Sequence, residues 1–226
     1  TGECHLGHGK SVGENGKRGY FCSKDPATVV VRDAHRLKKM TQELYPGVPY
    51  YILGHSMGSF ILRNYIGKYG SGIQGAVIMG TGLVPGALLG VSKFLAAMQK
   101  LIFGERHVSK FIDKAAFGTY NSKIENAKTS FDWLTKDEAI VDKYIADPDC
   151  GFVFTVNGFQ TLFELMARMS RKEYLEAIPS ELPLYLVAGA EDPVGDYGKG
   201  VETTCRTYRD LGIKDVSIKL YETDRH

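Results

Sequence analysis

A serine between two glycines, an aspartate and a histidine are the residues of this chain whose types and order could do nucleophilic chemistry. The serine is Ser56, in Gly54-His55-Ser56-Met57-Gly58. An apolar run, Tyr50-Tyr51-Ile52-Leu53, precedes it and a helical pattern follows without a gap. Strand, tight turn and helix would leave a hydroxyl exposed at the apex, beside a helix N-terminus that favours negative charge. Glycines suit such a turn because strand and helix approach closely and the apex sits in strained backbone. Asp192 follows a second apolar run, Pro183 to Gly189, and His226 follows the alternating Val216, Ile218 and Leu220. Functional groups of an open parallel sheet collect outside the carboxyl ends of its strands. All three residues fall there, on what the pattern predicts to be successive strands.

That set could attack a carbonyl. Ser56 Oγ is the expected nucleophile, and His226 the base that takes its proton and returns it to the leaving group. Asp192 would fix the imidazole tautomer, and the Met57 backbone N–H would be one oxyanion donor. A histidine base must be neutral, so activity is expected to rise with pH through about 6.5. The turn alone could be a structural or phosphate-cradling glycine loop; the acid and histidine at later strand ends favour the catalytic reading. Glu191 and Asp196 are rival acids, but Pro193 reinforces an exit turn that would point Asp192 inward. His55 is expected to face away from the hydroxyl and serve structure. His5 and His8 read as turn residues, and His35 and His107 as surface residues.

The elements that must position these groups are legible in outline. Asp25-Pro26 should open a helix as N-cap and first residue, with Val30, Ala34, Leu37, Met40 and Leu44 inward and Arg36, Lys38 and Lys39 solvated. The helix after Ser56 should close at Gly67 and Gly70, and Ile73 to Gly80 is another buried strand. Strands separated by such a helix imply a right-handed crossover and a parallel sheet. Val201, Cys205, Tyr208 and Leu211 form a later helix seam, and the last strand should lie at an edge. From Leu83 to Glu181 helical periodicity dominates. Leu88, Val91, Leu95, Met98 and Ile102 form one stripe, which could pack inward or line an apolar lid over a long acyl chain. Asp147 to Phe152 reads as a turn, since its aspartates lack calcium-loop spacing.

Composition sets the bounds. Of 226 residues, 43% are hydrophobic and 24% charged, ordinary for a globular chain, and the net charge of +2 gives no case for nucleic acid. Cys4, Cys22, Cys150 and Cys205 are scattered without ligand spacing, so a reduced, cytoplasmic chain without a metal is the default. No apolar run reaches the ~18 residues of a membrane span.

Taken together, Gly7-His8-Gly9-Lys10-Ser11, Arg18-Gly19-Tyr20, the Ser56 turn, Asp147 to Phe152, Gly189-Ala190-Glu191-Asp192-Pro193 and His226 carry a resemblance. The chain resembles the α/β-hydrolase superfamily, in the branch of bacterial lysophospholipases and monoacylglycerol lipases also described as serine aminopeptidase S33-like. The order serine, acid, histidine is that of this superfamily. The resemblance implies a parallel sheet flanked by helices, with residues 1–82 and 182–226 as the hydrolase core and 83–181 as an inserted helical cap. It implies cleavage of a lipid-like carboxylic ester through an acyl-enzyme, without a cofactor and with transient membrane contact through the cap. A serine aminopeptidase and a non-catalytic binding module are the alternatives.

Departures from the branch are expected to matter. Cys4 stands where members usually carry aspartate. The family's upstream strands, its His-Gly oxyanion turn and a final helix have no counterpart, so the chain is expected to be an internal piece, incomplete as a fold. As written it should be poorly stable and nearly inactive, with an apolar edge exposed at the first strand.

Overall fold

Among the described residues, four parallel strands, β1 (Tyr51–His55), β2 (Gly75–Met79), β3 (Leu184–Gly189) and β4 (Val216–Tyr221), form one sheet in the order β1-β2-β3-β4. The helices are α1 (Pro26–Leu44), α2 (Met57–Tyr69), α3 (Gly86–Phe103), α4 (Lys110–Phe117), α5 (Glu138–Ala146), α6 (Val156–Arg168), α7 (Lys172–Leu175) and α8 (Lys199–Asp210). The computed structural model describes residues 1–14 and 16–226. The chain divides into two compact units, one of Thr28–Val84 and Leu165–His226 with Thr1, the other of Gly2–Ala27 and Pro85–Glu164.

The sheet unit is built on one well-buried sheet face. Register places Ala76 beside Leu184, and Ile78 beside Leu186, and all four are buried. Gly54 sits on the same side, where a side chain would run into the Gly58 carbonyl oxygen, so α2 lies directly on β1. Residues 59 to 66 of α2 are all buried, including Arg63 and Asn64. A helix covered on all sides needs partners for its polar groups: Asn64 Nδ2 donates to the carbonyls of Phe60 and Leu165, at 2.8 and 2.9 Å.

Several expectations give way here. The run Tyr50 to Leu53 reads as a buried strand, yet Tyr51 and Leu53 are 65% and 60% exposed, because only alternate residues of β1 meet α2. On α1 the inward residues are Ala27, Val30, Val31 and Lys38, while Met40 and Leu44 are exposed. The stripe is rotated from the one predicted; the Lys38 ammonium passes close to the backbone of Gly72, where an added Cβ would lie 2.9 Å from Nζ. His35 is no surface residue: it stacks on Tyr69 at 3.9 Å between centroids, and its Nδ1 lies 3.2 Å from the Tyr65 hydroxyl. Gly67 does not close α2 but lets it approach the Tyr174 carbonyl. Asp25 precedes α1 in left-handed backbone, at φ 42°.

The second unit packs the glycine-rich opening against the start of α6. Thr155 N–H and Oγ1 both donate to the Gly19 carbonyl, at 3.2 and 2.7 Å. Phe21 N–H donates to Asn157 Oδ1 at 3.0 Å, and Asn157 Nδ2 to the Cys22 carbonyl at 2.8 Å. His8 is more than a turn residue, since its ring packs on Phe21, Phe152 and Phe154, and that burial lowers its pKa. The glycine-rich opening is therefore part of this unit's core. Asp147 Oδ1 accepts from Asp149 N–H at 2.8 Å within the turn, and Asp149 pairs with Arg18 at 2.7 Å.

The boundaries differ from the sequence reading, 1–82 with 182–226 against 83–181. Residues 165–181 cluster with the sheet, where Arg168 donates to Thr28 Oγ1 at 2.7 Å. Residues 2–27 cluster with the helical segment through the bonds just described.

Helix α3 buries Leu89 and Ala96 but leaves most of its apolar side chains exposed. Leu88, Val91, Phe94, Met98, Leu101 and Ile102 face outward, while Lys93 and Lys100 pair with Glu164 and Glu105 at 2.7 and 3.0 Å. Both lysines, with Asn157, Gln160 and Glu164, line a cavity of about 330 Å³ within this unit. By length and composition α3 is apolar enough to cross a membrane, contrary to the sequence expectation; its two lysines interrupt the run without offsetting it.

Candidate active site

The strand order sets the site. Ser56 follows β1 directly, Asp192 leaves β3 and His226 leaves β4. The three strands are not successive, because β2 lies between β1 and β3. Its exit residue, Gly80, therefore enters the site, which the sequence reading missed.

Ser56 occupies the apex at φ 54° and ψ −123°, a conformation that L-residues avoid. Its N–H donates to the Met79 carbonyl at 3.1 Å, and its own carbonyl accepts from Ser59 N–H at 2.8 Å and Ser59 Oγ at 2.6 Å. These bonds hold the strained turn from both sides. Of the two flanking glycines only Gly54 is sterically required; a side chain at Gly58 would meet open space. Met57 is the first residue of α2, so its N–H is among those without an intrahelical acceptor.

Asp192 is fully buried, with both carboxylate oxygens occupied. Oδ1 accepts from Val194 N–H at 2.8 Å, and Oδ2 from His226 Nδ1–H at 2.8 Å. Of the rival acids, Glu191 lies 3.8 Å from Arg225, and Asp196 is exposed in a turn at φ 49°. With Nδ1 donating to a carboxylate, Nε2 is the proton-accepting nitrogen of His226. The segment bearing His226 is laced to the exit of β3: Ala190 N–H donates to the Tyr221 carbonyl at 2.8 Å, and Glu191 N–H to the Asp224 carbonyl at 3.0 Å. A side chain at Gly189 would overlap the carbonyl oxygens of Asp224 and Arg225.

The His226 ring lies between two further groups. His55 packs on it with centroids 4.6 Å apart and planes inclined by 37°. Gly80, at φ 56°, presents bare backbone to it. His55 is exposed by surface area yet crowded on the side toward His226; desolvation, then the neighbouring His226, lowers its pKa to about 4, against a smaller raising effect of Asp192. His55 is thus neutral over the range in which His226 would act. Among the described residues no three His, Cys, Asp or Glu side chains are grouped to hold a metal ion.

Comparison with known proteins agrees with this architecture. The profile of the family described as "Serine aminopeptidase, S33" matches residues 5–226. Mouse (Mus musculus) monoglyceride lipase is 26% identical over 224 residues, covering 98% of this chain and 64% of that protein. A thermostable carboxyl esterase from Bacillus coagulans, solved with glycerol, superposes with a TM-score of 0.88 at 33% identity, over 99% of this chain and 72% of that one. A lipase in its open form superposes with a TM-score of 0.85 at 23% identity, over 98% and 72%, a likeness of fold. The chain spans 64% of the length of the curated relatives it matches.

Proposed function

The chain belongs to the serine aminopeptidase S33 family of α/β-hydrolases, and from that premise we propose that it cleaves carboxylic esters of lipid-like alcohols, of the monoacylglycerol or lysophospholipid type. The observation that carries the proposal is a strained serine apex at the end of β1 in the same sheet unit as a buried Asp192–His226 hydrogen bond of 2.8 Å.

In this reading His226 Nε2 removes the Ser56 hydroxyl proton as Oγ adds to the ester carbonyl. The oxyanion forms at the N-terminus of α2, where the Met57 N–H donates to it. Collapse expels the alcohol, which takes the proton from His226 and leaves an acyl-Ser56 ester. Water then repeats the sequence, with the same imidazole as base and then acid, and releases the carboxylic acid. Asp192 holds the imidazole and stabilises its cation throughout.

Relatives support this substrate class: curated monoglyceride lipases and an esterase solved with glycerol. The family description supplies a second reading, release of N-terminal residues from peptides. Fluorophosphonate labelling tests the nucleophile, and Ser56→Ala should abolish it. Turnover of a monoacylglycerol against an aminoacyl amide then separates the readings; faster release from the amide would overturn the ester assignment.

The outward face of α3 is read as a lipid-contacting surface. An uncharged apolar stripe followed by the exposed Arg106, Lys110 and Lys114 suits insertion among anionic headgroups. The four free thiols, Cys4, Cys22, Cys150 and Cys205, fit a reducing compartment.

A further inference from the structure

Arg63 is a buried cation in the middle of the helix that begins at the nucleophile, only 4% exposed. Its Nε donates to the Tyr208 hydroxyl at 3.0 Å, and its Nη1 to the Gly82 carbonyl at 2.8 Å and to Thr81 Oγ1 at 3.3 Å. All three acceptors are neutral. Burying a guanidinium without a carboxylate is costly, and the return must come from what it orders. A leucine there would pack α2 without that cost.

Those acceptors lie around the acid. Tyr208 is on α8, the helix that the Asp192 loop leads into. Thr81 and Gly82 follow Gly80, the residue facing His226. Gly82 is pressed on Val194, where a side chain would overlap the Val194 carbonyl oxygen. An added Cβ on Gly195 would stand 3.2 Å from the Thr81 carbonyl oxygen, and one on Gly200 would stand 3.3 Å from Leu83 N. The stretch 81–83 is therefore in backbone contact with the stretch 194–200. Val194 N–H is the donor that fixes Asp192 Oδ1.

We propose that Arg63 is a positioning residue for the acid: by clamping Thr81, Gly82 and Tyr208 to α2, it holds the Val194 backbone where Asp192 stays aligned with His226. The arginine touches no reacting atom and acts through two layers of backbone. The proposal rests on the serine-hydrolase reading above, but its structural content can be tested apart from catalysis.

Arg63→Met keeps an unbranched apolar stem, shorter than arginine, and removes every donor; Arg63→Lys keeps charge but loses the planar fork. The far-downfield proton resonance of His226 Nδ1–H reports the Asp192 bond directly, in parent and variants. Turnover of a short 4-nitrophenyl ester and circular dichroism accompany it. A folded Arg63→Met should lose or broaden that resonance, and kcat should fall about tenfold to a hundredfold with little change in KM. Arg63→Lys should recover part of both. A folded methionine variant with the parental resonance overturns the proposal, whatever its activity. Should that variant not fold, Arg63→Lys and Tyr208→Phe carry the same readout, and a parental resonance in both overturns it. Failure of the parent to react with a fluorophosphonate would sink the hydrolase reading alone, since the resonance still reports on Arg63.

Discussion

Gly80 leaves room for the imidazole of His226: an added Cβ would lie 2.8 Å from Cε1 and 3.1 Å from Nδ1. The same Cβ would stand 3.1 Å from His55 Cδ2, so the ring could not shift sideways without meeting its neighbour. Gly80→Ala should therefore tilt His226 away from Asp192. We expect kcat to fall about a hundredfold for a displacement on the order of 1 Å. Its φ of 56° adds about 1–3 kcal/mol of backbone strain, visible in urea unfolding. Parental kcat in the alanine variant would show that the contact is slack.

Ser56 stores strain that only glycine would relieve. At φ 54° and ψ −123° an L-residue costs about 1–3 kcal/mol, while glycine returns about 0.5–1 kcal/mol of that through its unfolded-state freedom. Both Ser56→Ala and Ser56→Gly should abolish fluorophosphonate labelling. The glycine variant should nevertheless be about 1 kcal/mol more stable than the alanine variant in chemical denaturation. Equal midpoints would mean that the turn is not strained in solution.

Local signals single out Ser56, Asp192 and His226 as candidates, because each follows its own strand within a few residues. What escaped was made by groups far apart in sequence. Gly80 enters the site only because β2 runs between β1 and β3, an order the pattern does not contain. Arg63 is one cation in an apolar helix, and its acceptors lie far away in sequence, at positions 81, 82 and 208. Periodicity also misjudged facing. Met40 and Leu44 extended a plausible stripe on α1, yet the inward position is Lys38, whose ammonium ends at the backbone of Gly72. Tyr51 and Leu53 seemed to belong to a strand covered on both faces, whereas the described structure covers one.

Acid should destabilise the sheet unit through His55. Its folded pKa, about 4, lies below the ordinary imidazole value of 6.5, through desolvation first and the adjacent His226 second. Between those values the unfolded chain binds a proton that the folded one refuses, so stability rises with pH across this window and is lost as pH falls through it. Because His55 is partly exposed, solvent screening trims the effect. His55→Asn should flatten the dependence of the unfolding midpoint between pH 4 and 6.5. An unchanged slope would assign it to other groups.

The outward face of α3 can be changed without touching a core. Leu101 is 81% exposed and Phe94 64%. Substituting either by aspartate should alter folding stability by no more than about 0.5 kcal/mol, as for surface sites in general. Inserting such side chains among acyl chains contributes about 1.5–3 kcal/mol each. Leu101→Asp should thus weaken binding to vesicles of phosphatidylcholine and phosphatidylglycerol about tenfold or more, as read by co-sedimentation. Turnover of a water-soluble 4-nitrophenyl ester should stay at the parental value, since the substitution lies outside the sheet unit that holds Ser56, Asp192 and His226. Two outcomes would argue differently. Parental vesicle binding would remove α3 as the lipid contact, and a large drop in unfolding midpoint would mean that Leu101 packs in solution.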